Sequence, residues 1–249
     1  MIPLFGTVIG AACVFFWRRG VDALAEVSIQ GVSCGVMVAA SVWSLLIPSI
    51  ELSAKRGQNP IILTSLGFIS GVLTFIACEK LLEAIESRKS TFKPKSKSFL
   101  SSLAVALHNF PEGMAVGAAF AGGLCSRDAG ELYAAMALSI GIAVQNIPEG
   151  AIISIPIYSD TSKRSRAFLL GCASGVVEPI GAVGTIVASE IAVPALPLLL
   201  SFAAGAMIFA VLDCIFQLGK ESKNPEKYAF SLCFSLGFTL MMSLDVLLG

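Results

Sequence analysis

Long apolar runs separated by short clusters of charged and turn residues set the pattern of this chain. A helix needs about 20 mostly apolar residues to cross roughly 30 Å of hydrocarbon. Eight stretches have that character, at 2–17, 31–50, 60–78, 99–121, 131–157, 167–189, 193–217 and 228–248. None shows the strict alternation of a membrane β-strand. The pattern therefore predicts an all-α integral membrane protein with eight transmembrane helices in a single transmembrane domain over 1–249. The first stretch reads as a retained span and not as a signal peptide, because Arg18 and Arg19 follow its apolar run instead of preceding it.

Eight spans place both termini on one side, and the basic residues say which. Fourteen of the 17 Lys and Arg fall in one set of loops, while the other set holds only Lys55, Arg56 and Arg127. The rich set is expected in the cytoplasm, with both termini outside. Segment 79–98 then becomes a cytoplasmic loop whose SRKSTFKPKSKS run has the composition of a flexible linker.

Composition agrees with this reading. Hydrophobic residues make up 55% of the chain and charged residues 14%, against about 25% charged in a soluble domain, and the mean hydropathy is +0.83. The formal charge is zero, so no basic field exists to attract nucleic acid. Glycines recur four apart at Gly6/Gly10, Gly31/Gly35, Gly67/Gly71, Gly113/Gly117 and Gly171/Gly175. Such spacing lets helix backbones approach closely in lipid and predicts a compact bundle without naming an activity. The seven cysteines include no C-x-x-C pair and read as apolar thiols, with no disulfide and no metal assigned.

Three carboxylates interrupt the apolar spans, and an ionisable group at membrane depth points to function. They are Glu112, Glu149 and Glu178. Span four reads His108-Asn109-Phe110-Pro111-Glu112-Gly113, and span five reads Gln145-Asn146-Ile147-Pro148-Glu149-Gly150. The frame polar-Asn-apolar-Pro-Glu-Gly thus occurs twice, in spans that run in opposite directions. Residues three and four apart share a helix face, so His108 and Asn109 project beside Glu112, and Gln145 and Asn146 beside Glu149. Glu178, followed by Pro179, adds a third carboxylate from span six.

Carboxylates, carboxamides and one imidazole suit a hard-to-borderline divalent cation. No Lys or Arg lies in a span core, which disfavours an anion. Two divalent ions sharing Glu112 and Glu149 as bridges are electrostatically acceptable. A zinc protease needs H-E-x-x-H and a di-iron enzyme needs two histidines; this chain has one histidine in total. The reading is therefore not an enzyme. A transporter or channel for another cation, on an unrelated fold, is the alternative.

These motifs resemble the ZIP (Zrt/Irt-like) family of divalent metal transporters, nearest its GufA-like prokaryotic branch. The likeness rests on HNFPEG, QNIPEG, GVVEPIGA, SFAAGAMIF and GFTLMMSLDVLLG. It implies a mid-membrane binuclear centre, with spans one to three and six to eight forming an inverted repeat around spans four and five. It places His108, Glu112, Gln145 and Glu149 at a first metal site, and Asn109, Glu112, Asn146, Glu149 and Glu178 at a second. It implies import by alternating access of zinc first, then iron, manganese or cadmium, as transported substrate, with no resident cofactor. The plasma membrane is the expected location, and the sequence leaves room for a homodimer. Many relatives carry His where Gln145 stands, and some Asp where Asn146 stands. Paired acidic residues near the end of span seven are reduced here to Asp213, followed by Cys214, and 79–98 contains no histidine.

Overall fold

The computed structural model describes residues 2–16, 23–88, 97–221 and 224–248, and every regular element among them is helical. α1 spans Ile2–Ala12 and runs into a 3₁₀ turn, Cys13–Phe15. α2 (Ala23–Ala40) continues through a π-helical segment, Ser41–Leu46, into α3 (Ile47–Lys55). Pro48 has no N–H to return to the preceding turn, and the Ile47 amide instead reaches back five residues to the Val42 carbonyl. α4 covers Pro60–Arg88, α5 Lys97–Ser126 and α6 Ala129–Thr161. α7 (Arg164–Gly175), α8 (Val177–Val187) and the short α9 (Ser189–Ala192) precede α10 (Leu196–Glu221) and α11 (Asn224–Leu248).

Among the described residues, six helical segments are long and apolar enough to cross a membrane: Leu24–Lys55, Pro60–Leu81, Ala129–Ser159, Arg164–Val187, Leu196–Phe216 and Asn224–Leu247. Ile2–Phe15 is a shorter apolar helix. α5 has the length, but the side chains of its first turns, through His108, lie outside the described residues.

One expectation needs correction. α4 does not stop at residue 78; it continues to Arg88, taking the first half of the expected 79–98 loop into helix. The sequence Glu79-Lys80-Leu81-Leu82-Glu83-Ala84 is rich in strong helix formers, and polarity alone does not end a helix. Residues 89–96 of that loop lie outside the described residues, and 97–98 already belong to α5. Span six, expected at 167–189, is found as Arg164–Val187, with the α-helical pattern interrupted at Val176 between α7 and α8. Pro179 lies three residues beyond, where it fits a first turn but not a helix interior.

Four close helix pairs build the bundle: α2 with α11, α1 with α6, α4 with α10, and α5 with α8. Each is closed by glycines that let backbone meet backbone. A Cβ on Gly35 would fall 2.0 Å from the Phe234 carbonyl oxygen, and one on Gly237 would fall 2.3 Å from that of Val32. The α4–α10 pair repeats this arrangement, with Gly71 against the Phe202 carbonyl at 2.2 Å and Gly205 against that of Phe68 at 2.1 Å. α5 and α6 also pack on each other, bringing the twin motifs together at the centre.

Candidate metal centre

The two Pro-Glu-Gly turns are interior to α5 and α6, and the glycine of each has a packing role. Gly113 admits the backbone of Glu178, whose carbonyl oxygen would lie 2.1 Å from an added Cβ. Gly150 admits the backbone of Thr7 in the same way, at 2.2 Å. The residue next to each motif glutamate is thus a point of close approach by a neighbouring helix. Glu178 itself stands in the first turn of α8, just after the break at Val176.

Burial of the predicted residues is complete or nearly so: Asn109, Glu112, Gln145 and Asn146 are 0% exposed, Glu178 2% and Glu149 3%. The Glu112 carboxylate is close enough to feel the charges of both Glu149 and Glu178. Carboxylates in a medium of low dielectric repel strongly unless a cation joins them.

Hydrogen bonds orient the amides. Asn109 Nδ2 donates to the Ser174 carbonyl at 3.2 Å, and Asn146 Nδ2 donates to the Pro3 carbonyl at 3.4 Å. Asn146 Nδ2 also donates to Glu178 Oε1 at 2.9 Å, which accepts a further bond from Thr7 Oγ1 at 3.1 Å. With the amide nitrogens engaged, both Asn Oδ1 atoms are left without a protein partner, as are both carboxylate oxygens of Glu112 and of Glu149, Glu178 Oε2, and the two polar atoms of the Gln145 amide. Those nine buried atoms comprise eight oxygens and one nitrogen. A buried acceptor without a partner costs about 1–3 kcal/mol, so eight such oxygens at one place favour a ligand that accepts electron pairs.

Among the described residues, no three His, Cys, Asp or Glu side chains are gathered tightly enough to hold a metal by themselves. The buried amide oxygens of Asn109, Gln145 and Asn146 add unpartnered electron-pair donors. His108 lies on α5 one turn before Glu112, with its side chain outside the described residues.

Thr7 escaped the sequence reading. A single threonine near the start of an apolar run carries no signal by itself. It becomes legible only once α1 has packed beside α8 and its hydroxyl donates to Glu178 Oε1. The carbonyls of Pro3 and Ser174, which hold the two Asn side chains, were likewise invisible, since any residue type supplies one.

A bundle of long apolar helices around a buried centre of carboxylates and amide oxygens defines an integral membrane protein of the cation-transporter class. The profile of the ZIP zinc transporter family matches residues 86–245. The chain belongs to that family, which is one of transporters and not of enzymes. It is 30% identical to zinc transporter ZIP11 of Xenopus tropicalis, over 98% of this chain and 94% of that protein. It is 31% identical to zinc transporter ZIPB of Bordetella bronchiseptica, over 93% of this chain and 74% of that protein. Zinc transporter GufA of Myxococcus xanthus is 29% identical, over 88% and 85%.

Proposed function

We propose that this protein carries zinc across the membrane into the cytoplasm, through a mid-membrane centre that binds two ions between α5, α6 and α8. The observation that carries the reading is the convergence of eight buried, unpartnered oxygens on three glutamates and three carboxamides. Glu112 and Glu149 bridge the two ions. His108 and Gln145 complete the first site; Asn109, Asn146 and Glu178 complete the second. Iron, manganese and cadmium are further substrates, because oxygen ligands discriminate weakly among divalent ions.

The reading includes eight spans related by an inverted repeat, and the packing supports it. Thr7 and Glu178, Pro3 and Ser174, and Gly10 and Gly181 each differ by 171 positions and play matching roles. Asn109 bonds Ser174 as Asn146 bonds Pro3, and Gly181 meets the Phe110 carbonyl as Gly10 meets that of Ile147. The reciprocal glycines of α2–α11 and α4–α10 follow the same operation. A pseudo-two-fold axis in the membrane plane would thus pass between the twin motifs, and the centre sits where repeat transporters bind substrate. Movement comes from the site-bearing helices α1, α5, α6, α7 and α8 shifting against α2, α4, α10 and α11, exposing the centre to each side in turn. The basic-residue distribution supports a topology with both termini outside, in a proposed plasma-membrane location. A homodimer is compatible with the lipid-facing surfaces.

Zinc uptake by purified protein in proteoliposomes tests the reading. Glu149→Ala is expected to abolish uptake because it removes a ligand from both ions, whereas Asn146→Ala weakens it. Full uptake by Glu149→Ala would refute the shared centre.

A further inference from the structure

Thr7 on α1 is fully buried and directs its hydroxyl across a helix interface. A threonine or serine in a helix commonly bonds the carbonyl three or four residues earlier. The buried hydroxyls of Ser41, Ser53 and Thr185 do so, to the carbonyls of Met37, Ser49 and Gly181 at 2.7, 2.7 and 2.6 Å. Thr7 does not. The carbonyl four residues before it, that of Pro3, receives Asn146 Nδ2 at 3.4 Å, and Thr7 Oγ1 donates to Glu178 Oε1 at 3.1 Å. Two glycines hold the residue in this position. Gly150 of the α6 motif admits the Thr7 carbonyl, and a Cβ on Gly175, at the end of α7, would lie 2.8 Å from both Thr7 Cβ and Thr7 Oγ1. Glu178 Oε1 also accepts from Asn146 Nδ2 at 2.9 Å, so both lone pairs of that oxygen are engaged. Glu178 Oε2 is buried and has no protein partner. The two oxygens of this carboxylate are therefore unequal, and Thr7 is one of the two groups that make them so.

We propose that Thr7 is a positioning residue that sets metal preference at the second site. Its hydroxyl, together with Asn146, occupies Oε1 and leaves Oε2 as the one oxygen that Glu178 offers to an ion. A carboxylate held to one oxygen suits zinc, which takes few ligands in tetrahedral geometry. A carboxylate free to use both oxygens raises the ligand count, and that suits harder, oxygen-seeking ions such as manganese. Without the hydroxyl a lone pair returns to Oε1, and Glu178 can turn both oxygens to the ion. Thr7 acts through Glu178, as the hydrogen-bonding partners behind metal ligands commonly do. Its place on α1 adds a constraint from outside the twin motifs, because the carboxylate is oriented by a helix that is itself locked against Gly150 and Gly175. The effect on metal preference rests on the second site of the proposed function; the hydrogen bond and the unpartnered Oε2 do not.

The experiment titrates the full chain in detergent with zinc, with manganese, and with zinc in the presence of manganese, by calorimetry. Thr7→Val keeps the shape of the side chain and removes the donor, whereas Thr7→Ser keeps the donor. Thr7→Val should weaken zinc binding by about 10-fold, the lower end of the loss expected when a partner behind a metal ligand is removed. Manganese binding should weaken less or not at all, so the preference for zinc falls, and Thr7→Ser should keep the wild-type preference. In a Glu178→Gln background, Thr7→Val should change the preference no further. An unchanged zinc-to-manganese preference in Thr7→Val overturns the inference. So does an equal loss in Thr7→Ser and Thr7→Val, which would assign the effect to packing, and so does a full effect of Thr7→Val in the Glu178→Gln background. Should metal-free Thr7→Val melt below the wild type, Thr7→Ala, which is smaller, takes its place in the same comparisons. No zinc binding by the wild type overturns the metal-centre reading and this inference with it; zinc binding with unchanged preference in the variant overturns this inference alone.

Discussion

Replacing Glu112 by Gln tests the centre most directly, because it removes charge while nearly preserving volume at a site with no exposure. The variant leaves two carboxylates, Glu149 and Glu178, where the wild type has three. Two divalent ions bring four positive charges, so the second ion loses most of its compensation. A unit charge pair at about 4 Å in an effective dielectric near 20 is worth about 4 kcal/mol, and removing one partner of a buried pair costs about 3–5 kcal/mol in practice. Taking about 3 kcal/mol as the net loss, zinc affinity should fall by about 150-fold at about 1.4 kcal/mol per decade. Stoichiometry should drop from two ions to one. Metal-free stability should move the other way. Glu112 is fully buried, and a neutral amide of nearly the same volume costs less to bury than a carboxylate, so Glu112→Gln should melt no lower than the wild type. A gain of about 1 kcal/mol would raise Tm by about 2–4 °C for a chain of this length. Calorimetric titration with zinc in detergent, beside thermal unfolding with and without chelator, reads both quantities. Wild-type affinity and stoichiometry in Glu112→Gln would refute its role as a bridging ligand. Loss of binding together with a lower metal-free Tm would show a folding defect instead.

Four further outcomes are expected. Gln145→His adds an imidazole donor and should raise zinc affinity relative to manganese; unchanged competition between the two metals would show that residue 145 does not touch the ion. Equilibrium zinc affinity should weaken as pH falls from about 7.5 to about 5.5, because a metal displaces protons from its ligands, and His108→Ala should lower affinity and flatten part of that slope in calorimetry at several pH values. Gly10→Ala should strongly destabilise the bundle, since its Cβ would lie 1.9 Å from the Ile147 carbonyl oxygen, whereas at Gly184 nothing lies within 4 Å and Ala there should stabilise by about 0.5–1 kcal/mol; equal melting of the two variants would refute the packing argument. In a Cys-free background, a cysteine at Gln58 should react with an impermeant thiol reagent in intact cells and one at Ser90 should not, and the reverse pattern would invert the orientation.

Local pattern carried much of this protein. Apolar length marks a span because the bilayer demands it of each helix separately, and the i, i+3, i+4 rule aligns Asn109 with Glu112 and Asn146 with Glu149 whatever surrounds them. The twin Pro-Glu-Gly frame was legible for the same reason, as were the glycine pairs on α1, α2, α4, α5 and α7. What each glycine touches was not, because a close approach is a property of two helices: Gly113 opens onto Glu178 and Gly150 onto Thr7 only once α8 and α1 have docked. The extension of α4 to Arg88 and the break at Val176 also escaped the hydropathy pattern, which records transfer into lipid and is blind to where backbone hydrogen bonding continues or stops. Nor does sequence distance reveal that Thr7 holds Glu178 across 171 positions. Side chains of one helix are placed by its own period, but contacts between helices depend on how all of them pack, and the bonds that bring Thr7 and Asn146 to Glu178 are such contacts.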